Sequence, residues 1–329
     1  RMIRHGFRKT PYKTMHLFSV DHSLLTKAYH FRYYSEFIGL LGKKSDLLLD
    51  ARIKSPDITN YFGYGNASVY DKNLHEDIDY YRARYVMRDF SVLDRKNFSP
   101  SVSMILGPTY EYYSLDSSDN STRYILQTGT NGLDPNTLFK KQSFAGGFLK
   151  FDFDNRNNKA LPSKGIYWQS SVRALKGLNN ASSDITMLKS DLAFYTSFSR
   201  QAGFVLALRF GGGHNFGNFE FYQAQSLGGT ENLRGYRKFR FRGESMAYNN
   251  IEMRVKLADF RTYLFPGSLG FLAFHDVGRV WSKGDTSNKW HTGYGGGIWV
   301  SPLRRLVLTG SYAISNETKL VLVTFGWQF

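Results

Sequence analysis

The 329-residue sequence has no cysteine. That excludes disulfide staples, zinc–thiolate centres and thiol nucleophiles together. It has no apolar run of ~18 residues, which excludes a transmembrane helix. Catalytic signatures are missing too. There is no G-x-S-x-G elbow and no H-E-x-x-H pair, and the eight histidines are scattered, with His5, His16, His22, His30 and His75 in the N-terminal quarter. An enzyme needs a convergent constellation such as Ser-His-Asp or paired carboxylates, so no enzymatic activity, metal or cofactor is expected. The opening RMIRHGFRKT is basic but lacks the apolar stretch of a signal peptide.

What the chain does have is positive charge and aromatic rings. The formal net charge is +16, and 16% of residues are aromatic, including 22 tyrosines and 27 phenylalanines. Such a charge implies a polyanionic partner, either nucleic acid, anionic lipid headgroups or lipopolysaccharide phosphates. No nucleic-acid-binding module accompanies it, which leaves lipid and lipopolysaccharide.

The dominant pattern has period two. Ile251, Met253, Val255 and Leu257 share one face, against Asn250, Glu252, Arg254 and Lys256. Phe204, Leu206, Leu208 and Phe210 alternate with Val205, Ala207 and Arg209, and Val321, Val323, Phe325, Trp327 and Phe329 share a face at the end. Arg82, Arg84 and Arg88 also share a parity and are expected to form an inner basic ladder. The segments run roughly 10–15 residues, against ~5–6 for an ordinary strand. In lipid, only helices and closed barrels satisfy every backbone group. A transmembrane barrel turns apolar side chains outward and charged ones toward a hydrated lumen.

The expected fold is therefore all-β, a transmembrane antiparallel β-barrel in one domain over 1–329. Fourteen strands are legible, at 13–20, 28–40, 44–54, 77–91, 98–114, 142–154, 164–176, 184–198, 202–214, 245–258, 267–281, 288–301, 304–315 and 319–329. A hairpin involving 122–129 would make sixteen. Residues 1–12 read as a periplasmic segment or linker. Longer connections at 55–76, 115–141, 215–244 and 282–287 read as extracellular.

One connection carries SLGGTENLRGYRKFRFRG, Ser226 to Gly243. Together with the N-x-E-x-R strand after it, this stretch resembles the BamA/TamA/FhaC superfamily of outer-membrane assembly and translocation barrels. Leu233, Arg234, Gly235 and Tyr236 stand where that family has Val-Arg-Gly-Phe/Tyr in its sixth extracellular loop, and Gly228 and Gly229 match its preceding glycines. Asp276 and Gly278 in FLAFHDVGRVW match the family's aromatic-x-Asp-x-Gly strand. Asp154, Arg156, Pro162 and Gly165 match its periplasmic turn. The terminal aromatics Phe325, Trp327 and Phe329 look like the family's C-terminal barrel signal, by which the barrel assembly machinery inserts it. The likeness is specific over 142–329. The family's soluble POTRA domains are not legible, and NYFGYGN (Asn60 to Asn66) is most similar to Bacteroidetes versions.

The resemblance implies that the long loop folds into the lumen. A guanidinium there needs a carboxylate, and Arg can meet one with two parallel hydrogen bonds. Asp276 shares its parity with Leu272, Phe274 and Gly278, so it is expected to face inward, with Phe271, Ala273, His275 and Val277 outward. The alternative reading of Arg234 is a solvated or lipopolysaccharide-binding loop residue. Gly228, Gly229, Gly235 and Gly243 let the loop lie close to the wall. Arg237, Lys238, Arg240 and Arg242 either line the lumen against Asp152, Asp191 and Glu252 or reach lipid phosphates. Glu252 and Arg254 read as general lumen charges. The family's working part is the seam between first and last strands, here 13–20 and 319–329, which implies client proteins as partners. The rival readings are a membrane anchor or structural subunit with accessory envelope proteins, the barrel of a fused phosphatase or lipase, and a passive porin.

Overall fold

The computed structural model describes residues 1–6, 9–71, 78–128, 132–199, 202–263 and 265–329. Almost everything regular in it is antiparallel strand. In chain order these are Met2–Gly6 (β1), Lys9–Ser23 (β2), Ala28–Gly42 (β3), Ser45–Asn60 (β4), Arg82–Ser99 (β5), Val102–Ser114 (β6), Gln142–Asp154 (β7), Gly165–Gly177 (β8), Ile185–Ser197 (β9), Phe204–Gly217 (β10), Gln225–Leu227 (β11), Phe241–Gly243 (β12), Ser245–Arg261 (β13), Pro266–Trp281 (β14), His291–Pro302 (β15), Leu308–Ser315 (β16) and Lys319–Phe325 (β17).

Fifteen of them form one meandering sheet in sequence order. The short β11 and β12 pair only with each other, inside the connection from β10 to β13. Alternation explains the sheet's two faces. On β10, Val205, Ala207 and Arg209 are buried while Phe210 is half exposed. On β13, Met246, Tyr248, Asn250, Glu252 and Arg254 are buried and Met253 is exposed. The outer face carries exposed Phe18, Phe31, Phe90, Phe271, Ile298 and Val323, an apolar surface that water would not favour and hydrocarbon would. His275 is exposed among them. The inner face surrounds the β10–β13 connection. That connection touches Thr59 on β4 and Asp276 on β14, strands far apart in the sheet, so the sheet curls around it.

Several expectations need correction. The first twelve residues are not a linker: β1 pairs with β2 in the register Met2↔His16 and Ile3↔Met15. The strand expected to open the sheet, 13–20, belongs to β2 and is paired on both sides, with β1 and β3. The stretch 122–129 adds no hairpin. Tyr124–Leu126 is a 3-10 turn, and Gly129 lies outside the described residues. The sheet thus holds fifteen strands among the described residues rather than fourteen or sixteen. Arg82, Arg84 and Arg88 are not an inner ladder. Their inward neighbours are Ala83, Tyr85 and Asp89, all buried, while Arg88 is exposed beside exposed Phe90.

The final residues correct another expectation. Phe325 stays on the outer face at 89% exposure. Gly326 then adopts φ +103°, a conformation open chiefly to glycine. The chain leaves the strand, and Trp327 and Phe329 turn inward. Trp327 packs on Trp299, and Phe329 on Tyr195. The three aromatics therefore do not share a face.

Candidate functional site

The site is built on the connection 218–244 and the wall that receives it. Short polar side chains shape the connection. Asn232 accepts from the Gly228 amide at 2.9 Å and donates to the Ser226 carbonyl at 2.9 Å, folding GGTEN into a tight turn. Leu227, Leu233, Tyr236 and Phe241 bury themselves against Met246, Tyr248 and Val280 of the wall. At ~25 cal/mol per Å² of apolar area, such burial is what holds the loop inside. Burial pushes the Tyr236 phenol up to about 12, so it stays protonated and donates to Asn316 at 2.6 Å.

Arg234 lies at the centre, 5% exposed. Its Nε and Nη2 donate to the two oxygens of Asp276 at 2.8 Å each, and its backbone amide adds a third bond at 3.0 Å. Its Nη1 donates to Glu252. The guanidinium carbon sits 3.6 Å from the centre of the Phe274 ring. Asp276 and Glu252 are fully buried, so the cation satisfies carboxylates that would otherwise be costly to desolvate. Glu252 is a specific partner rather than a general lumen charge, and it continues the chain of contacts by accepting from Arg254 at 2.8 Å. Gly235 passes against β16 with φ +88°, and a Cβ there would lie 2.9 Å from the Ile314 backbone. Its carbonyl accepts from Ser315 at 2.7 Å and from Thr318. Gly278 leaves room for Leu227, whose methyl a Cβ would meet at 2.8 Å.

The other loop cations have partners that sequence reasoning missed. Arg240, 1% exposed, makes a two-pronged pair with Glu317 at 2.7 and 2.8 Å and also holds Ser68. Arg242 donates to Thr59 at 2.7 Å and to the Asn60 and Phe221 carbonyls. Arg237 donates to the Tyr70 hydroxyl at 3.0 Å. Lys238 makes an exposed pair with Glu231. None of these reaches Asp152, Asp191 or Glu252: Asp152 pairs with Lys150, and Asp191 with Arg209 and Tyr248. Gly243, at the loop's end, sits beside the Trp281 carbonyl. No residue spacing pointed from the loop to Glu317 or Thr59, because those contacts join segments about 75 and 180 positions apart.

At the other end of the lumen, Arg156 holds Asp154 with two bonds of 2.8 and 2.9 Å and stacks on Tyr167. Gly165 takes φ +115° where the turn re-enters the sheet, and Pro162 is buried. The Trp327 indole donates to the Ala160 carbonyl of this turn at 3.0 Å. Turn, chain end and loop thus meet through one continuous set of side chains. No cluster of metal-ligating residues occurs among the described residues.

A sheet of this topology has counterparts among known proteins. The Omp85 superfamily domain profile matches residues 25–329. The chain belongs to the Omp85 superfamily. This Omp85 chain is similar in fold to BamA from Haemophilus ducreyi lacking POTRA domains 1–3. The identity is 12%, the TM-score 0.56, and the match covers 99% of this chain and 74% of that one. It is also similar to CdiB from Acinetobacter baumannii (12% identity, TM-score 0.55, 95% and 52% covered) and CdiB from Escherichia coli (10%, 0.56, 91% and 52%). This Omp85 chain therefore spans about half the length of the CdiB chains. No curated protein sequence matches it. Omp85 superfamily β-barrels are outer-membrane proteins, and the exposed apolar outer face suits that setting.

Proposed function

We propose that this chain is an outer-membrane barrel of the BamA/TamA type, which inserts or translocates proteins through a lateral seam between its edge strands. The observation that carries this reading is the sheet order. No ladder joins β1 to β17 among the described residues. β17 is only seven residues long against seventeen for β13, and it stops where Gly326 turns the chain inward. Unpaired strand edges present rows of free N–H and C=O groups, a template for an incoming strand. A client strand would add to β17 by the same pairing that joins β17 to β16. The buried loop is the rigid counterpart. It is fixed to β14 by Arg234 and to the β16–β17 turn by Arg240, so the edge hairpin is held from inside while its outer edge stays free. Loop and chain end occupy the interior, which weighs against a passive porin.

The test uses the absence of native cysteine. Paired cysteines are placed in Met2–Gly6 and Lys319–Phe325, and the protein is assayed in proteoliposomes for insertion of a strand-forming client. Oxidation should abolish insertion and reduction should restore it. A locked protein as active as the reduced one would sink lateral opening.

A further inference from the structure

Beneath the inserted loop lies a cavity of about 410 Å³, the size of a small-molecule site. Its charges do not balance. Lys54, Arg173, Lys189, Lys238 and Arg242 line it, against Asp57 and Glu111. Both acids are already engaged. A bulge in β4 between Lys54 and Asp57 puts both on the inner face, where Asp57 takes Lys54 at 3.0 Å and the Tyr85 hydroxyl at 3.0 Å. Glu111 takes Arg173 and, at 2.9 Å, Tyr113. Lys238 pairs outside the cavity with Glu231.

Among the described residues, two of these cations remain without a carboxylate. Lys189 is exposed to the cavity, and its side chain makes no hydrogen bond or ion pair among the described residues. It faces Ser171 directly across the β8–β9 ladder, with Arg173 diagonal to it on the same face, within ~7–8 Å. Arg242, 3% exposed, spends two nitrogens on neutral oxygens, and its Nε has no partner among the described residues. A buried donor left unmade is costly, and an oxyanion is the ligand that would offset the unbalanced charge of Arg242 and Lys189. Lys supplies a mobile point charge and Arg a planar set of donors, the usual combination on phosphate. Rings of Tyr222 and Phe239 complete the lining, Tyr222 stacked on Tyr113 and Phe239 against the Arg242 guanidinium.

We propose that this cavity is an oxyanion site for a phosphate group, free or carried on a sugar, with Lys189 and Arg242 as its charged ligands and Ser171 as a hydroxyl donor. The site does not depend on the seam and stands or falls independently of it.

The full chain in detergent, at low ionic strength, is titrated calorimetrically with inorganic phosphate and with glucose 1-phosphate. Saturable binding of at least one is expected. Lys189→Gln should weaken it tenfold or more, Lys189→Arg should retain it, and Lys159→Gln, on the exposed turn far from the cavity, should leave it unchanged. Tighter binding of the sugar ester assigns the site to a phosphorylated glycan, and equal binding assigns it to phosphate itself; either supports the proposal. Absence of saturable binding, or equal affinity in Lys189→Gln and Lys159→Gln, overturns it. Because the Lys189 side chain makes no hydrogen bond or ion pair among the described residues, Lys189→Gln should leave the circular dichroism unaltered.

Discussion

Arg254 holds the end of the chain. Its guanidinium lies 4.0 Å from the centre of the Trp327 ring and donates to the Phe329 carbonyl at 3.1 Å, while its Nε donates to Glu252. Glu252 in turn accepts from Arg234 of the loop. The inserted loop and the inward-turned residues after β17 are thus joined through Glu252 and Arg254, and also through Arg209, which donates to the Glu231 and Gln328 carbonyls.

Removing Arg254 should free that end. With no native cysteine, Gln328→Cys provides a clean reporter, and its reaction with a membrane-impermeant maleimide should be slow. Arg254→Ala should speed it tenfold or more. Equal rates would mean that Gly326 and the contacts to Trp299, Ala160, Tyr195 and Arg209 hold the inward turn without Arg254.

Arg234 and Asp276 should behave as one unit. Breaking a buried pair by removing one partner costs about 3–5 kcal/mol, less where water can enter. Arg234→Ala and Asp276→Ala should each lower the temperature at which the folded band is lost on unheated gels. The double variant should cost little more than either, since coupled residues deviate from additivity by ~0.5–3 kcal/mol. Fully additive losses would dissolve the link.

Much of this was readable in advance, and the failures have physical reasons. Alternation on β10 and β13 placed the inner and outer residues, and LRGY with HDVG pointed to loop and wall. Parity, however, states which residues share a face and not which face is inside. The stretch at 80–85 has tyrosines on both faces, Tyr80 against Tyr81 and Tyr85, so Arg82, Arg84 and Arg88 were assigned to the wrong one. Period-two reasoning also assumes that a strand continues. It carried Trp327 and Phe329 outward past Gly326, where a positive φ ends the strand. Arg240 with Glu317 was invisible because side-chain pairing across a curled sheet leaves no spacing signal in the chain.

Two glycines offer a contrast that isolates the loop's fit. A Cβ on Gly293, which faces Asp276 across the β14–β15 ladder, would collide with the Arg234 carbonyl. A Cβ on Gly147 would meet nothing within 4 Å. Gly293→Ala should displace the loop, raising protease cleavage within 226–243 and lowering thermal stability. Gly147→Ala should change neither. Were both silent, the loop would be free to shift at no cost.

Arg240 and Glu317 set the last expectation. Glu317 sits in the turn joining β16 to β17, so this pair fixes the edge hairpin to the loop inside. Arg240 is 1% exposed, and among the described residues its hydrogen bonds reach no second carboxylate, only Ser68. Glu317→Gln keeps the shape and one acceptor but removes the charge, leaving a buried guanidinium poorly compensated. Amide exchange in Lys319–Phe325 should accelerate, because the short edge strand pairs on one side only and relies on this anchor. Exchange in β13, paired on both sides, should stay as it was. Uniform acceleration across both strands would show that the substitution loosens the whole sheet, and unchanged exchange in β17 would show that its ladder with β16 suffices to hold it.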